Sequence, residues 1–388
     1  MKKLAIITTH PIQYNAPFFA LLHQRQQVAI KVFYTWSQAV EGEKYDPGFA
    51  QTVAWDIPLL ENYPWQAVEN TSRKPESTSY SGIVNPTLIN TIADFNPDAI
   101  LVYGWNFKSH LQLMRHFKGK VKILFRGDST LLNETSVLKI FLRKLILRFV
   151  YKNIDVALYA GLANKAYFKF AGVKDSQLAF MPHAIENERF DQDNISVNKI
   201  IDLKQKLNIP SKNLVLLFSG KLTDRKNIHA LCTIVAAMKD KAVSLLIVGS
   251  GPLEQKLKNE FGTSNCIHFA GFQNQESMPL MYAVSDCVVL PSKKINETWG
   301  LCLNEGMAAG KAVIASDGCG AAYDLIEVGR NGYIFPADNF DVLKDRIEYL
   351  VANPERVKQM GLESKKIIAD YSFENDCMAI EKIVQEIA

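Results

Sequence analysis

The stretch Leu214-Val-Leu-Leu-Phe-Ser-Gly-Lys-Leu-Thr-Asp-Arg-Lys-Asn227 shows the pattern on which the rest of the chain is built. Its first residues are apolar without polar alternation, which is typical of a strand buried on both faces of a parallel sheet. Gly220 ends the apolar run, a basic loop follows, and a helical pattern begins near Asn227. This order of strand, loop and helix predicts one βα unit of a doubly wound α/β domain.

The same pattern recurs on both sides of this stretch. In the second half the predicted strands are Leu214–Phe218, Ser244–Val248, Cys266–Phe269, Cys287–Leu290, Ala312–Ala315 and Gly332–Phe335. In the first half they are Leu4–Thr9, Val28–Tyr34, Ala99–Tyr103, Val121–Phe125, Val156–Tyr159 and Leu178–Met181, with helices that include Phe18–Gln26, Ser136–Lys152 and Ala163–Ala171. Two such series predict an α/β protein with two Rossmann-like, doubly wound domains.

The length of 388 residues also suggests two domains. A polar stretch at 191–198 predicts a linker near 190–210. We therefore expect a first domain over 1–195, a second over 205–370, and a C-terminal helix over 371–388 that packs back on the first domain. Ligands of such sheets bind at the carboxyl ends of the strands, so we expect the site in a cleft between the domains. The irregular stretch 38–82 is either a functional loop or a surface excursion.

The composition excludes several classes of protein. Hydrophobic residues make up 48% of the chain and charged residues 22%, as in ordinary globular proteins. No apolar run approaches the roughly 20 residues of a membrane span, and the N-terminus favours a first strand over a signal peptide. All six cysteines lie in the second half without a Cys-x-x-Cys pair, which predicts buried thiols rather than disulfides or a zinc site.

Two glycine-containing loops of the second half connect predicted strands to predicted helices. Lys221, Arg225 and Lys226 place positive charge between a strand end and a helix start, where a diphosphate would be favoured. Taken alone, such a loop is more often simply solvated. The turn Val248-Gly-Ser-Gly-Pro-Leu-Glu254 allows a tight connection from strand to helix but lacks the full dinucleotide fingerprint, so by itself it indicates a structural turn.

A third motif carries two carboxylates. Glu297 is expected in the loop after the strand that ends near Leu290, and Glu305 in the second turn of the next helix. A carboxylate accepts two hydrogen bonds at once, so Glu305 suits a ribose diol and Glu297 suits sugar hydroxyls. The N–H groups of the segment 299–301 suit a phosphate. From the spacing alone, two surface glutamates beside an ordinary helix are the simpler interpretation.

The order of these motifs resembles glycosyltransferase family 4, which has the GT-B fold. The resemblance is carried by Gly-Lys-Leu with Arg-Lys-Asn, then Val-Gly-Ser-Gly-Pro-Leu, Ala270-Gly-Phe272, and Pro-Ser with Glu-x7-Glu-Gly-Met-Ala-Ala-Gly310. It extends through Gly-Arg-Asn-Gly-Tyr-Ile-Phe-Pro336, and in the first half through Thr9-His-Pro-Ile-Gln-Tyr14 and Pro182-His-Ala-Ile-Glu-Asn-Glu-Arg-Phe190. The resemblance implies a retaining, metal-independent enzyme that uses a nucleotide-diphosphate sugar and no cofactor.

Carried over residue by residue, the resemblance implies roles for the motif residues. Lys221 and Lys226 would clamp the diphosphate, and Lys221 stands where most relatives have arginine. Glu297 would contact the donor sugar and Glu305 the ribose, while Gly271 and Phe272 would lie near the base. The catalytic candidates are therefore Lys221, Lys226 and Glu297. The donor-binding candidates are Gly220, Arg225, Gly271, Phe272, Thr298, Trp299, Gly300, Leu301 and Glu305.

The first half departs from the family pattern. Its candidate site residues are therefore chosen only because they follow the ends of predicted strands. Relatives often carry Gly-Gly after the first strand, where this chain has His10-Pro-Ile-Gln-Tyr, and many have histidine where it reads Phe125-Arg-Gly-Asp128. Polar and aromatic residues that follow strand ends are acceptor-side candidates or ordinary turn residues. They are His10, Gln13, Tyr14, Tyr103, Trp105, Arg126, Asp128 and His183.

A basic segment sets the first half apart. Residues 1–190 hold 22 lysines and arginines against 15 acidic residues, and 11 of the basic residues lie at 107–152 with only Asp128 and Glu134. The helix predicted at 136–152 carries its charges mostly at four-residue steps, so they share one broad face. The region 108–152 therefore suits an anionic membrane surface, or it contains a core helix with a solvated basic face. No recognition motif accompanies the charge, so nucleic acid is not expected.

The sequence thus predicts a cytoplasmic enzyme, peripheral at the inner face of the cytoplasmic membrane. We expect it to move a sugar from a UDP- or GDP-sugar to a saccharide or lipid-linked acceptor in surface polysaccharide or glycoconjugate biosynthesis. Two alternatives use the same fold. One is a sugar-nucleotide epimerase or hydrolase, which needs carboxylates placed for proton transfer. The other is a non-catalytic subunit, against which both glutamates and both lysines argue.

Overall fold

The computed structural model describes residues 1–40, 42, 44–132, 134, 136–295 and 297–387, with Lys44 as main chain only. The strands are β1 (Lys3–Thr8), β2 (Ala29–Tyr34), β3 (Lys44–Asp46), β4 (Gln51–Val53), β5 (Trp65–Ala67), β6 (Ala99–Tyr103), β7 (Lys122–Arg126), β8 (Val156–Tyr159), β9 (Leu178–Phe180), β10 (Leu214–Ser219), β11 (Val243–Val248), β12 (Ile267–Gly271), β13 (Cys287–Leu290), β14 (Ala312–Ser316) and β15 (Gly332–Phe335). The helices are α1 (Ala16–Gln24), α2 (Leu88–Phe95), α3 (Lys108–Phe117), α4 (Val137–Tyr151), α5 (Leu162–Phe170), α6 (Val197–Lys206), α7 (Ile228–Ala237), α8 (Glu254–Phe261), α9 (Met278–Val284), α10 (Cys302–Ala308), α11 (Ala322–Leu325), α12 (Phe340–Ala352), α13 (Pro354–Ile368) and α14 (Phe373–Gln385).

The chain divides into two compact units. Unit 1 comprises Met1–Gly42, Ile57–His183 and Phe373–Ala388, and unit 2 comprises Glu43–Asp56 and Ala184–Ser372. The division after His183 differs from the linker expected near 190–210. The polar stretch is not a connection between the units, because it leads into α6, which packs against α9 within unit 2.

The sheet of unit 1 contains seven parallel strands in the order β5-β2-β1-β6-β7-β8-β9. All six strands predicted for the first half are present, with ends shifted by at most a few residues. The strand β5 was not predicted, because its three residues lie in a stretch without an apolar run. Within unit 1 the chain crosses back between β1 and β6, so the strand order reverses at this pair.

The sheet of unit 2 contains six parallel strands in the order β12-β11-β10-β13-β14-β15. Counted along this unit's own strands, the order is that of a Rossmann fold, and it reverses between β10 and β13. All six strands predicted for the second half are present. The predicted α/β class with two Rossmann-like sheets is therefore confirmed.

Apolar side chains from the strands and helices form a separate core in each unit. In unit 2, Leu216 and Phe218 of β10 pack with Val235 of α7 and with Leu343 and Ile347 of α12, and all are fully buried. The cluster of unit 1 is built in the same way around β6 and β7. Burial of a large aliphatic or aromatic side chain contributes roughly 1.5–3 kcal/mol, so these layers hold the strand ends in register.

A segment early in the chain belongs to unit 2. Strands β3 and β4 pair as an antiparallel hairpin, and the segment ends at Asp56 before the chain returns to unit 1. We call residues 45–56 the strap. It accounts for part of the irregular stretch 38–82, and its contacts lie at the carboxyl ends of the strands of unit 2.

In the described part of the chain no helix has both the length and the apolar character needed to cross a membrane. The six cysteines are unpaired, five of them buried and Cys302 partly buried, as the sequence predicted.

A buried histidine in unit 1 makes the stability of the fold depend on pH. His110 on α3 is fully buried, with Nδ1 2.9 Å from the carbonyl of Gly104 and Nε2 2.8 Å from Oγ1 of Thr35. Burial lowers the pKa of His110 to about 4, against partial compensation by backbone contacts. The unfolded chain therefore binds a proton below pH 6.5 that the folded chain does not, so stability falls as pH falls from about 6.5 towards 4.

Replacement of His110 by asparagine should remove this dependence. We expect the variant to be less stable than the wild type at pH 7 and the difference to shrink as pH falls to about 4.5. Urea denaturation, followed by circular dichroism at several pH values, measures the free energy of unfolding of the wild type and of the variant. A stability difference that is constant across this range would contradict a neutral, buried imidazole.

Candidate functional site

The point at which the strand order of unit 2 reverses brings two predicted residues together. Lys226 follows β10 and Glu297 follows β13, and these two strands are neighbours in the sheet. Ligands of open α/β sheets bind at such reversal points. The backbone N–H of Lys293 donates to the carbonyl of Arg225 at 2.9 Å, so the two loops are tied to each other.

Lys226 and Glu297 form a buried ion pair. Lys226 Nζ lies 2.6 Å from Oε2 of Glu297, and the two residues are 9% and 7% exposed. Ser292 Oγ donates to the same carboxylate oxygen at 3.0 Å. Charges this far from water are tolerated when they are paired and hydrogen-bonded, so the pair places a positive and a negative group at a defined point of the sheet edge.

Glu305 lies beside this pair on α10. Its Oε2 accepts a hydrogen bond from the hydroxyl of Tyr282 at 2.5 Å, and Glu305 is 3% exposed. Burial and the charge of Glu305 raise the pKa of Tyr282 well above its usual value, so the hydroxyl stays a donor. Burial raises the pKa of Cys302 to about 12, while Lys226 acts to lower it and Glu305 and Glu297 act to raise it. The charged groups of both loops thus surround one position.

The loop between Glu297 and α10 is held by the segment after β14. The N–H groups of Gly320 and Ala321 donate to the carbonyls of Glu297 and Trp299 at 3.0 and 3.1 Å. Gly300 has φ +111, and a Cβ there would lie 2.6 Å from Leu290 and 2.9 Å from Cys319, so only glycine fits. Thr298 and Leu301 belong to the same loop, and Trp299 Nε1 donates to Oδ1 of Asn304 at 2.8 Å.

Lys221 is paired with a residue of the strap. Its Nζ lies 2.9 Å from both carboxylate oxygens of Asp46, which also accepts the N–H groups of Gly48 and Phe49. Burial acts to raise the pKa of Asp46, but Lys221 and the two backbone donors outweigh it, and the pKa lies below its usual value. Lys221 and Lys226 therefore have different carboxylate partners, and Asp46 was not found from the sequence because it is distant along the chain.

The remaining donor-binding candidates of unit 2 lie at the ends of neighbouring strands. Gly220 directly follows β10, and its N–H donates to the carbonyl of Val248 at 3.0 Å. Gly271 ends β12, and Phe272 follows it with its ring 5.2 Å from that of Phe49. The structure therefore gathers the predicted residues of unit 2 along one edge of the sheet, as the order of the motifs suggested.

Several acceptor-side candidates lie at the corresponding edge of unit 1. His10, Gln13 and Tyr14 follow β1, while Tyr103 ends β6 and Trp105 follows it, so these five flank the reversal point of this sheet. All are partly exposed. Each sheet thus presents polar and aromatic side chains where a ligand of an α/β domain would bind.

Arg126 and His183 are built into unit 1. The guanidinium of Arg126 donates to the carbonyls of Leu158, Met181 and Pro182, and lies 3.5 Å from Nδ1 of His183. Burial and the charge of Arg126 lower the pKa of His183 to about 3 despite the opposing effect of Asp128, which keeps the imidazole neutral. These contacts favour a structural function for Arg126, whereas Asp128 is exposed.

Asp376 on α14 lies near enough to Arg126 for the two charges to interact, and it was not identified from the sequence. It is 4% exposed, and burial raises its pKa well above the usual range although Arg126 opposes the shift. A carboxyl with a raised pKa can hold a proton near neutral pH. Its position 250 residues after Arg126 in the chain left no local signal in the sequence.

Comparison with known proteins identifies the region that carries the unit 2 site. Residues 199–367 match the family model described as glycosyl transferases group 1. An uncharacterised glycosyltransferase of Methanocaldococcus jannaschii is 28% identical over 174 residues, which is 44% of this chain and 48% of the relative. A lipopolysaccharide 1,2-N-acetylglucosaminetransferase of Salmonella typhimurium is 29% identical over 198 residues, 47% of this chain and 50% of the relative. The chain spans about half the length of these curated relatives.

Among solved structures, HepE of Anabaena in complex with UDP and glucose superimposes with a TM-score of 0.72. The match covers 100% of both chains at 18% sequence identity, so it bears on the fold alone. It supports the predicted GT-B fold class.

Proposed function

We propose that this chain, whose residues 199–367 match the family model of the group 1 glycosyl transferases, moves a sugar from a UDP- or GDP-linked donor to a hydroxyl of a saccharide or lipid-linked acceptor. The observation that carries the proposal is the buried Lys226–Glu297 pair at the strand-order reversal of unit 2, with Glu305 beside it. This arrangement offers a cation for a diphosphate and carboxylates for hydroxyl groups. The Salmonella relative, a lipopolysaccharide 1,2-N-acetylglucosaminetransferase, supports the same chemistry.

In the proposed donor complex, Lys226 and Lys221 face the diphosphate, Glu297 accepts hydrogen bonds from the sugar and Glu305 from the ribose. Negative charge develops on the diphosphate as the bond to the sugar breaks, so a fixed ammonium group stabilises the transition state more than the ground state. Both lysines have carboxylate partners in the structure. Each ammonium has three donors, so a phosphate oxygen can join a carboxylate around it.

We propose retention of configuration, as in the family that the sequence resembles. Glu297 is held by Lys226 and Ser292, which suits it to orient hydroxyl groups rather than to attack the sugar. The acceptor oxygen would then form its bond on the face from which the diphosphate leaves, and the departing phosphate oxygen would take the acceptor proton. The partly exposed residues after β1 and at the end of β6 in unit 1 are our candidates for acceptor contacts.

Incubation of UDP- and GDP-sugars with and without saccharide acceptors tests the proposed reaction. Product that forms only with acceptor supports transfer, whereas free sugar or an epimerised donor formed without acceptor supports the alternative enzymes.

The variant Lys226→Met should lose turnover and also stability, by about 3–5 kcal/mol, because it leaves Glu297 charged, buried and unpaired. The double variant Lys226→Met, Glu297→Met should regain thermal stability without regaining turnover. Recovery of both would show that the pair is only structural.

We further propose that the reaction needs no metal ion. Among the described residues, no three His, Cys, Asp or Glu side chains converge on a point that could hold one. The single Asp-x-Asp motif, Asp191 and Asp193, is bound to Lys365 at 2.6 and 3.2 Å. Lysine side chains would then balance the charge of the diphosphate.

Transfer should therefore continue at an unchanged rate in excess EDTA. The measurement compares initial rates before and after chelation, then after addition of Mg²⁺ or Mn²⁺. Activity that is lost in EDTA and restored by either metal would refute metal independence.

We also propose that α4 binds an anionic membrane surface. Only Leu147, Val150 and Tyr151 of this helix are buried. Its exposed apolar side chains are Val137, Leu138, Phe141, Leu142, Leu145, Ile146 and Phe149, each at least 49% exposed. This exposure favours membrane docking over the alternative of a core helix with a solvated basic face, because a core helix would bury these apolar side chains. Basic residues flank them, which matches the chemistry of an anionic lipid surface.

Sedimentation with phosphatidylglycerol vesicles and with neutral vesicles, at low and high salt, measures this binding. Replacing Lys139, Lys144 and Arg148 with glutamine should weaken binding to anionic vesicles at low salt by roughly two orders of magnitude, at about 1 kcal/mol per charge. Replacing Leu138, Leu142 and Leu145 with asparagine should weaken binding at both salt concentrations. The control is Leu362→Asn, an exposed leucine on α13. Equal recovery with both lipids in all variants would contradict docking through α4.

A further inference from the structure

The strap contacts three consecutive strand ends of unit 2. Asp46 binds Lys221 after β10, and the carbonyl of Phe49 accepts a hydrogen bond from Ser250 Oγ after β11 at 2.9 Å. The loop after β12 is bound at two points. Asn274 Nδ2 donates to the carbonyl of Ala54 at 2.6 Å, and the N–H of Glu276 donates to Asp56 at 3.1 Å. Both side chains and main chain thus hold the strap along the edge that carries the proposed donor site.

The glycine turn after β11 makes room for this contact. Gly251 has φ +155, and a Cβ at this position would lie 2.9 Å from the carbonyl oxygen of Gly48 and 2.8 Å from main-chain atoms of Leu222. Any other residue would push the strap away. The turn 249–251, which the sequence indicated as structural, therefore packs against the backbone of the strap.

Two aromatic rings of the strap lie against Phe272. The ring centroid of Phe49 is 5.2 Å from that of Phe272 in an edge-to-face arrangement, and the ring of Trp55 is 6.4 Å away. Lys221 Nζ lies 4.9 Å from the centre of the Phe49 ring. All three rings are partly exposed, whereas other aromatic residues of unit 2 such as Phe218 and Phe335 are fully buried. An apolar surface is therefore left open beside a cation.

We infer that the strap supplies part of the nucleotide subsite, in which Phe49 and Trp55, together with Phe272, form the surface on which the donor base stacks. The inference rests on the proposed function, because it needs a nucleotide donor. Nucleobases stack on aromatic side chains whatever their hydrogen-bonding pattern, so the surface suits uracil or guanine. Asp46 anchors the strap through Lys221, which ties the base surface to the cation proposed for the diphosphate.

The positions of the aromatic rings and of Lys221 suit the base and the diphosphate of one nucleoside diphosphate. The rings lie next to the end of β12, and Lys221 follows β10, with the Gly249-Ser-Gly251 turn after β11 as the intervening strand end. A base on the rings and a diphosphate at the lysine would therefore span neighbouring loops of one sheet edge.

Binding of UDP, GDP and pyrophosphate to the full chain tests the inference by calorimetry. The variants Phe49→Leu and Trp55→Leu should bind the nucleotides at least about fivefold more weakly, since loss of stacking removes base affinity. Pyrophosphate has no base, so its affinity should not change. The variant Trp55→Phe keeps a ring and should retain affinity while losing most of the change in tryptophan fluorescence that UDP causes in the wild type.

The matched control is Tyr45→Leu, because Tyr45 lies on the same hairpin and is 61% exposed. It should bind all three ligands like the wild type, and thermal unfolding should show that every variant is folded. Unchanged nucleotide affinity in the leucine variants, or an equal loss for pyrophosphate and nucleotides, would overturn the base subsite while the proposed function stands. Failure of the wild type to bind any nucleotide would overturn the proposed function and this inference with it.

Discussion

The ion pair between Lys226 and Glu297 is the interaction on which the unit 2 site depends. Two charges removed from water are costly unless each compensates the other, so neither side chain can leave without exposing its partner's charge to an apolar environment. The pair joins the loop after β10 to the loop after β13, and the backbone bond from Lys293 to Arg225 joins them again. The two loops are therefore held together, as electrostatic stabilisation by fixed charges would require in the proposed donor site.

The strap shows how an early segment of the chain can serve a later sheet. Its hairpin has only three residues in each strand, so it gains little stability by itself. Contacts with Lys221, Ser250 and Asn274 hold it, and the absent side chain of Gly251 allows the close approach. Exposed ion pairs contribute at most about 1 kcal/mol each, so the position of the strap depends on the whole set of contacts.

Unit 1 buries a set of ionisable side chains and exposes a set of apolar side chains. Globular proteins usually do the reverse. Arg126 and Asp376 are buried inside the unit, where carbonyl groups of Met181 and Pro182 accept hydrogen bonds from the guanidinium. The apolar side of α4, in contrast, faces solvent. A large exposed apolar patch with basic neighbours is costly for an isolated globular protein and is typical of a surface that meets another phase or partner.

The sequence by itself determined twelve of the thirteen strands of the two large sheets, because uninterrupted runs of valine, isoleucine and leucine are distinctive of buried parallel strands. It also placed Lys226 and Glu297 after strand ends. It put Glu305 in the second turn of the following helix, whereas Glu305 lies in the first turn of α10. The resemblance suggested how the three residues act together. The sequence did not reveal β5 or the strap, whose short strands have no apolar period, and it did not assign Asp46 to Lys221. It left open whether α4 is buried, since an apolar helix face has the same pattern in a core and at a surface.

Only the tertiary structure decided which residues meet across long separations in the chain. Asp46 and Lys221, Trp55 and Phe272, and Arg126 and Asp376 have no local sequence pattern that connects them, because their proximity results from the order of the strands and the path of the chain. The same holds for the exposure of α4, which follows from what the rest of unit 1 covers. Local pattern determines which elements form, whereas pairing across the fold determines which of their side chains are buried, paired or left open to a ligand.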